Sequence, residues 1–199
     1  MQRAIFFDTE TQHLPLFKEP SEHPEQPHIV QLAARLVELD TRKLISSMDV
    51  IIRPDGWTIP AETTAIHGIT TEHALDVGVP EVLAVQMLLA LWERADFKVA
   101  HNESFDTRIV RIAQLRNPAA FSEAQAEAWK AAPANCTCYM ARPHTKLDKN
   151  KLPKLGEAYR HFFGIDFPDQ HTAMGDTLAC EAVFFAIRDL DLQRATTAA

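Results

Sequence analysis

The chain has little cysteine, three residues in 199, and two of them, Cys136 and Cys138, stand one residue apart. An odd count with that spacing is neither a CxxC motif nor a disulfide framework, so a reducing compartment is expected. No Cys/His group has the spacing of a structural zinc site. Long apolar runs are also missing. The longest, Val82 to Trp92, is broken by Gln86 and is too short to cross a bilayer. Asp8 arrives before the apolar core of a signal peptide could form. A cytoplasmic protein with no membrane partner is expected. There is no internal repeat, heptad run or low-complexity segment. Positive charge is in deficit, with a net charge of −7, which argues against a protein that holds nucleic acid by electrostatics alone. Six Lys and Arg nevertheless gather from Arg142 to Arg160 against Asp148 and Glu157, a pattern that is ordinarily a solvated face. The 46% hydrophobic content excludes a disordered chain, and the length suffices for a sizeable core.

Alternation of apolar residues predicts strands at residues 3–10, 30–36 and 44–52, separated by a proline-rich loop at 12–28 and a turn at 40–43. Helices are predicted at 80–94, 103–116, 152–163 and 173–190, with further short strands at 97–100 and 136–139. Pro80 starts the first of these helices, and Gly164 stands where the third should stop. Three strands followed by alternating helices and strands predict one mixed α/β sheet with helices packed against it.

The acids carry the chemistry. Asp8 and Glu10 end the first strand two residues apart, so their side chains share a face. Two like charges there repel, and a cation between them would relieve the repulsion. Taken alone, a D-x-E is more often a solvated strand end. Asp106 lies on a helix face with Ile109, Val110 and Ala113, where an acid is costly unless paired, hydrogen-bonded or bound to metal. As an acid in a first helical turn it would also suit the helix dipole. Asp176 borders the apolar stripe of the last helix, five residues after His171. Four acids on one strand end and two helices can converge on a pair of hard, oxygen-seeking cations, Mg²⁺ or Mn²⁺.

Phe7-Asp8-Thr9-Glu10-Thr11 resembles the first motif of the DEDDh, or DnaQ-like, 3′→5′ exonucleases. His101-Asn102-Glu103-Ser104-Phe105-Asp106 is similar to the second, and His171-Thr172-Ala173-Met174-Gly175-Asp176 to the third. His67-Gly68-Ile69-Thr70 resembles a further signature, and Leu152 to Gly164 the helix before the third motif. The resemblance covers about Ala4 to Leu190, and four motifs in order make it specific. It implies an RNase H-like fold, a mixed five-stranded sheet flanked by helices. It implies one exonuclease domain over residues 1–194, with a frayed tail at 195–199. By the same resemblance Asp8, Glu10, Asp106 and Asp176 would hold two Mg²⁺ or Mn²⁺ ions, and His171 would be the general base. Thr9, Thr11, His67, Asn102 and Phe105 would lie at the substrate, although Phe105 also reads as core. The substrate would be a nucleic-acid 3′ end, DNA rather than RNA on the wording of the first motif, releasing nucleoside 5′-monophosphates. The alternatives are an exoribonuclease acting on RNA ends or short oligoribonucleotides, and a catalytically idle nucleic-acid-binding or polymerase-associated subunit. The chain departs from many members at Gln12-His13-Leu14, where they carry Thr-Gly-Leu. Residues 12–17 resemble a sliding-clamp-binding peptide, so the partners to consider are a DNA polymerase or its clamp.

Overall fold

Four apolar residues in a row, Ala4 to Phe7, have no water-facing side, and they form the core of the central strand. The structure, a computed structural model, describes residues 1–145, 147–148 and 151–197. Strand β1 (Arg3–Thr11) pairs antiparallel with β2 (Ile29–Glu38), and β2 with β3 (Lys43–Ile51). On its other side β1 runs parallel to β4 (Phe97–Ala100), and β4 to β5 (Ala134–Cys136), giving the order β3-β2-β1-β4-β5. This is the mixed five-stranded sheet expected.

Alternation along β1 feeds two cores. Ile5 and Phe7 enter the larger one, built with α3 (Glu81–Trp92), α4 (Glu103–Arg116) and Trp129 of α5 (Glu123–Ala131). Ala4 and Phe6 enter the smaller one, against Cys180, Phe184 and Phe185 of α8 (Ala173–Thr197). Trp129 meets Phe7 and Trp92 edge-on, with ring centroids 5.2 and 5.3 Å apart, and its indole N–H donates to the Thr107 carbonyl. The period of two therefore sends Asp8 and Glu10 toward α8 and Thr9 toward α4.

Several elements differ from expectation. Helices α1 (Ala61–His67) and α2 (Thr71–Val77) lie between the strand at 44–52 and the helix at 80–94, where the sequence predicts no element. Each has only seven residues, too few for a periodic stripe to show. Thr70 caps α2 by accepting from the His73 N–H, and α1 stops at Gly68, whose φ is 77°. Helix α5 was also unanticipated, although Ser122 and Gln125 form a capping box at its start. The fifth strand ends at Cys136 rather than continuing to Tyr139, and Thr137–Ala141 turns into α6. Helix α7 (Leu155–Phe163) starts three residues later than Leu152, because Lys154 before it is extended (φ −67°, ψ 159°) and its N–H donates to Glu157. Helix α8 runs past Leu190 to Thr197, through the first part of the expected tail. Among the described residues no helix is long and apolar enough to cross a membrane.

Candidate active site

Strands β1 and β4 run parallel, so their carboxyl ends open on one edge of the sheet, where α/β folds place ligands. Asp8 and Glu10 leave β1 at that edge, facing the first turn of α8, which carries Asp176. One carboxylate oxygen from each of Asp8, Glu10 and Asp176 lies within 4.8 Å of the others. Three of the four expected acids are thus brought together. All three side chains are half-buried, and their proton affinities show it. Burial, then the Asp106, Asp176 and Glu10 charges, pushes the Asp8 carboxyl well above the usual carboxylate range. Glu10 is pushed up to about 7 by burial and by Asp176. Burial also raises Asp176, against a backbone hydrogen bond from His171 that lowers it.

Asp106 is placed differently. It is buried, and its Oδ1 accepts from the Thr9 N–H at 3.0 Å and from the Thr9 hydroxyl at 2.7 Å. The strand alternation explains this: Thr9 points to the α4 face and meets the carboxylate arriving from that helix. Burial raises Asp106 to about 8, while the two Thr9 bonds pull the other way. Asp106 adds to the repulsion on Asp8, so it is an electrostatic neighbour of the trio without joining its oxygen cluster. The Thr9 hydroxyl is spent on Asp106.

His171 sits in a tight loop before α8. Its φ is 64°, and that of Asp169 is 55°, both in the left-handed region that side chains disfavour. Two sets of bonds hold the turn. The Thr172 hydroxyl donates to the Asp169 carbonyl and accepts the Gly175 N–H, while the His171 N–H donates to Asp176 Oδ1 at 3.2 Å. The His171 side chain is exposed and stands beside Asp176 at one wall of a cavity of about 710 Å³. Gly175 lets the loop lie this close, because a Cβ there would sit 2.1 Å from the Asp169 carbonyl oxygen. Gly175→Ala must displace the loop. It is expected to cost about 1–3 kcal/mol of stability through overpacking. Turnover is expected to fall roughly 10–10²-fold through misplacement of His171. Thermal unfolding and kcat measured together check this, and unchanged turnover would show that the loop tolerates the shift.

The remaining expected residues scatter. Asn102 is exposed in the same cavity wall, with φ 65° at the start of α4. Phe105 is half-buried and packs against the larger core. The Thr11 hydroxyl donates to the His13 carbonyl at 3.0 Å. His67 is buried at the end of α1, where Nδ1 accepts the Ile69 N–H at 3.1 Å, and burial lowers its proton affinity. Among the described residues no hydrogen bond joins His67 to the carboxylates. Residues 12–17 are tied down. Pro15 is buried, and the Leu16 N–H donates to Gln26 while its carbonyl accepts from Gln26 and Arg108, leaving Leu14 and Phe17 exposed. In the basic segment, Lys146 and Lys149 lie outside the described residues. Lys151 pairs with Glu157 at 2.7 Å and Arg160 with Asp166, while Lys154 and Arg160 line the cavity.

Two supporting residues escaped the sequence reading. Buried Gln31 of β2 accepts the Ala173 N–H at 3.1 Å and donates to Asp49, so it fixes the start of α8 opposite Glu10. A polar side chain inside an apolar strand was the available signal. His101, next to Asn102, bonds Thr137 and the Pro153 carbonyl, both at 2.9 Å, and so holds the cavity wall.

Comparison with known proteins fits this geometry. A "DNA polymerase III subunit epsilon-like protein" of Rhodobacter capsulatus is 29% identical over 185 residues, covering 92% of this chain and 23% of its own length. The chain thus spans under a quarter of that relative. Among solved structures, E. coli exonuclease I in complex with a dT13 oligonucleotide superposes with a TM-score of 0.68 at 21% identity, over 94% of this chain and 40% of that one. A zinc-bound E. coli exonuclease I complex with single-stranded DNA gives 0.72 at 20% identity, over 95% and 41%. At these identities the structures share the fold. The RNase T family model, described as exonuclease, matches residues 5–184, from β1 to α8. The chain belongs to this DnaQ-like exonuclease family.

Proposed function

We propose that the chain is a metal-dependent 3′→5′ exonuclease that releases nucleoside 5′-monophosphates from DNA ends. The observation that carries this is the convergence of Asp8, Glu10 and Asp176 within 4.8 Å at the edge where β1 and β4 end, beside the His171 loop. The donor set fits a hard cation. It offers carboxylate oxygens only; burial raises the proton affinity of all three, neighbouring carboxylates raise Asp8 and Glu10 further, and a cation would relieve both costs. Asp8, Glu10 and Asp176 would hold Mg²⁺ or Mn²⁺, and Asp106, with Oδ1 held by Thr9, would offer its other oxygen to a second ion. When bound, such a pair supplies positive charge that favours both the attacking and the leaving oxygen of a phosphodiester.

The protein's own groups do the rest. Thr9 orients the Asp106 carboxylate through two hydrogen bonds. An imidazole nitrogen of His171, exposed above Asp176, takes the proton of the attacking water. Asn102, in the cavity wall, would help to position a terminal nucleotide, and Thr11, His67 and Phe105 would act only as supports, since none of them lines the cavity. Lys154 and Arg160 line the cavity that would lead the strand to the acids. DNA is favoured because the exonuclease I structures hold DNA oligonucleotides and the Rhodobacter relative bears a DNA polymerase name. The same name supports recruitment to a polymerase.

A panel of 5′-labelled DNA and RNA strands, digested with Mg²⁺, Mn²⁺ or chelator, tests the proposal. DNA should shorten stepwise from its 3′ end with either metal and stay intact with chelator. Faster loss of RNA would replace the substrate, and no cleavage of either would leave a binding subunit. Lys154→Ala tests the basic wall. It should raise KM with kcat nearly unchanged, because uniform binding is lost. The log–log salt slope of single-strand binding should shrink by about 0.7 for the phosphate contact removed. An unaltered slope would mark Lys154 as merely solvated.

A further inference from the structure

Cys136 and Cys138 flank Thr137 where β5 turns into α6, and their sulfurs are 3.2 Å apart. Cys136 is half-buried at the end of an edge strand, whereas Cys138 is buried and lines the wall of the cavity that also holds Asn102, His171 and Asp176. Cys136 Sγ accepts the Glu103 N–H at 3.4 Å, at the first residue of the fourteen-residue helix α4. A helix N-terminus favours a thiolate over a thiol. The Cys136 thiol is pulled down to about 6, chiefly by the Cys138 thiol that donates to it, whereas Cys138 is pushed up by the same contact. The pair is thus split into one attacking sulfur and one protonated partner.

The residue between them is wired to the cavity. His101 Nε2 faces the Pro153 carbonyl, which can only accept, so Nε2 carries the hydrogen and Nδ1 accepts from the Thr137 hydroxyl. Burial keeps this imidazole neutral by lowering its proton affinity. The chain Thr137–His101–Pro153 therefore fixes the wall on which Lys154 stands. Closing the two sulfurs from 3.2 Å to the roughly 2.0 Å of a bond draws Cys136 and Cys138 together around Thr137 and so pulls on this wall.

We propose that Cys136 and Cys138 are a reversible dithiol–disulfide modification site that reshapes the substrate cavity, with small-molecule disulfides of the glutathione class as the oxidant. The Cys136 thiolate attacks one sulfur of the reagent disulfide. That S–S bond breaks, and the first thiolate leaves with the electron pair and takes up a proton. Cys138 then attacks the Cys136 sulfur of the mixed disulfide, its proton passes to solvent, and the second small thiolate leaves. Two protein thiols are oxidised and one reagent disulfide is reduced to two thiols.

The test uses the full chain incubated with oxidised glutathione, read by intact mass, by alkylation and by nuclease rate. The wild type should lose two hydrogens in mass, and Cys136 and Cys138 should become resistant to iodoacetamide until dithiothreitol is added. Cys138→Ser should stop at the glutathione adduct on Cys136, and Cys136→Ser should stay unmodified. The effect on rate rests on the exonuclease reading. Turnover by the oxidised chain should fall about 10²-fold, in line with a shift of roughly an ångström in supporting structure, and return on reduction. Two thiols that stay fully alkylatable would overturn the site. A verified disulfide with undiminished turnover would overturn the coupling to the cavity while leaving the exonuclease reading intact. A reduced chain without activity would count against the exonuclease reading, and the mass shift would then decide the thiol assignment alone.

Discussion

Asp8→Asn is expected to lower turnover by at least roughly 10³-fold, the upper range for losing one group from a preorganised electrostatic site, while the metal-free protein becomes more stable. The two effects share a cause. Asp8 lies against Asp106, Asp176 and Glu10, and burial and those charges all raise its proton affinity. A carboxyl whose folded affinity is raised above its unfolded value costs nothing below the unfolded pKa. The cost grows as pH rises toward the folded value and is complete above it. For Glu10 that window runs from 4.5 to about 7. Glu10→Gln should therefore leave stability unchanged at pH 4 and raise it at pH 8, by on the order of 3 kcal/mol. For a chain of this size that is roughly 6–12 °C in Tm. Mg²⁺ at a hundred times its Kd should stabilise the wild type by about 2.7 kcal/mol and either variant much less. Thermal unfolding at pH 4 and pH 8, with and without Mg²⁺, reads all of this. A wild type whose metal-free stability does not fall with pH would remove the argument for a repelling cluster, and a fully active Asp8→Asn would remove the metal site itself.

How far the sequence foretold the site can be followed along β1. The apolar run ending in Asp8-Thr9-Glu10 announced a strand with two acids on one face, and the helical periods around Asp106 and Asp176 announced the helices that bring the others. What alternation also implied is that Thr9 must face α4. The capture of Asp106 by Thr9, which keeps that carboxylate out of the trio, follows from this only when the packing partner of each face is known. Short elements were lost for another reason. Helices α1, α2 and α6 have seven residues or fewer, so their identity lies in caps and tertiary contacts rather than in periodicity. The supports of the site were hidden for a third. Gln31 and His101 work through partners far away in sequence, Ala173 and Pro153, which no local pattern encodes.

His171→Ala is expected to lower kcat by roughly 10²–10⁴-fold, the usual worth of a general base, while metal-induced stabilisation stays intact. The separation follows from the loop. His171 touches Asp176 through its backbone N–H, and alanine keeps that bond, so the carboxylate cluster should survive the substitution. Its side chain is exposed beside the cavity and free to meet an attacking water. His171→Gln should behave alike, because an amide can orient water but cannot accept its proton. The metal dependence separates this role from that of the acids. Glu10 and Asp106 rise to about 7 and about 8 without a cation, so the carboxylates are the groups whose ionisation Mg²⁺ should govern. His171→Ala should therefore keep the wild-type Mg²⁺ dependence and lose only the rate. A variant with a near-normal kcat, or one whose defect is rescued by more Mg²⁺, would assign the proton transfer to another group and leave His171 as a residue that merely shapes the loop.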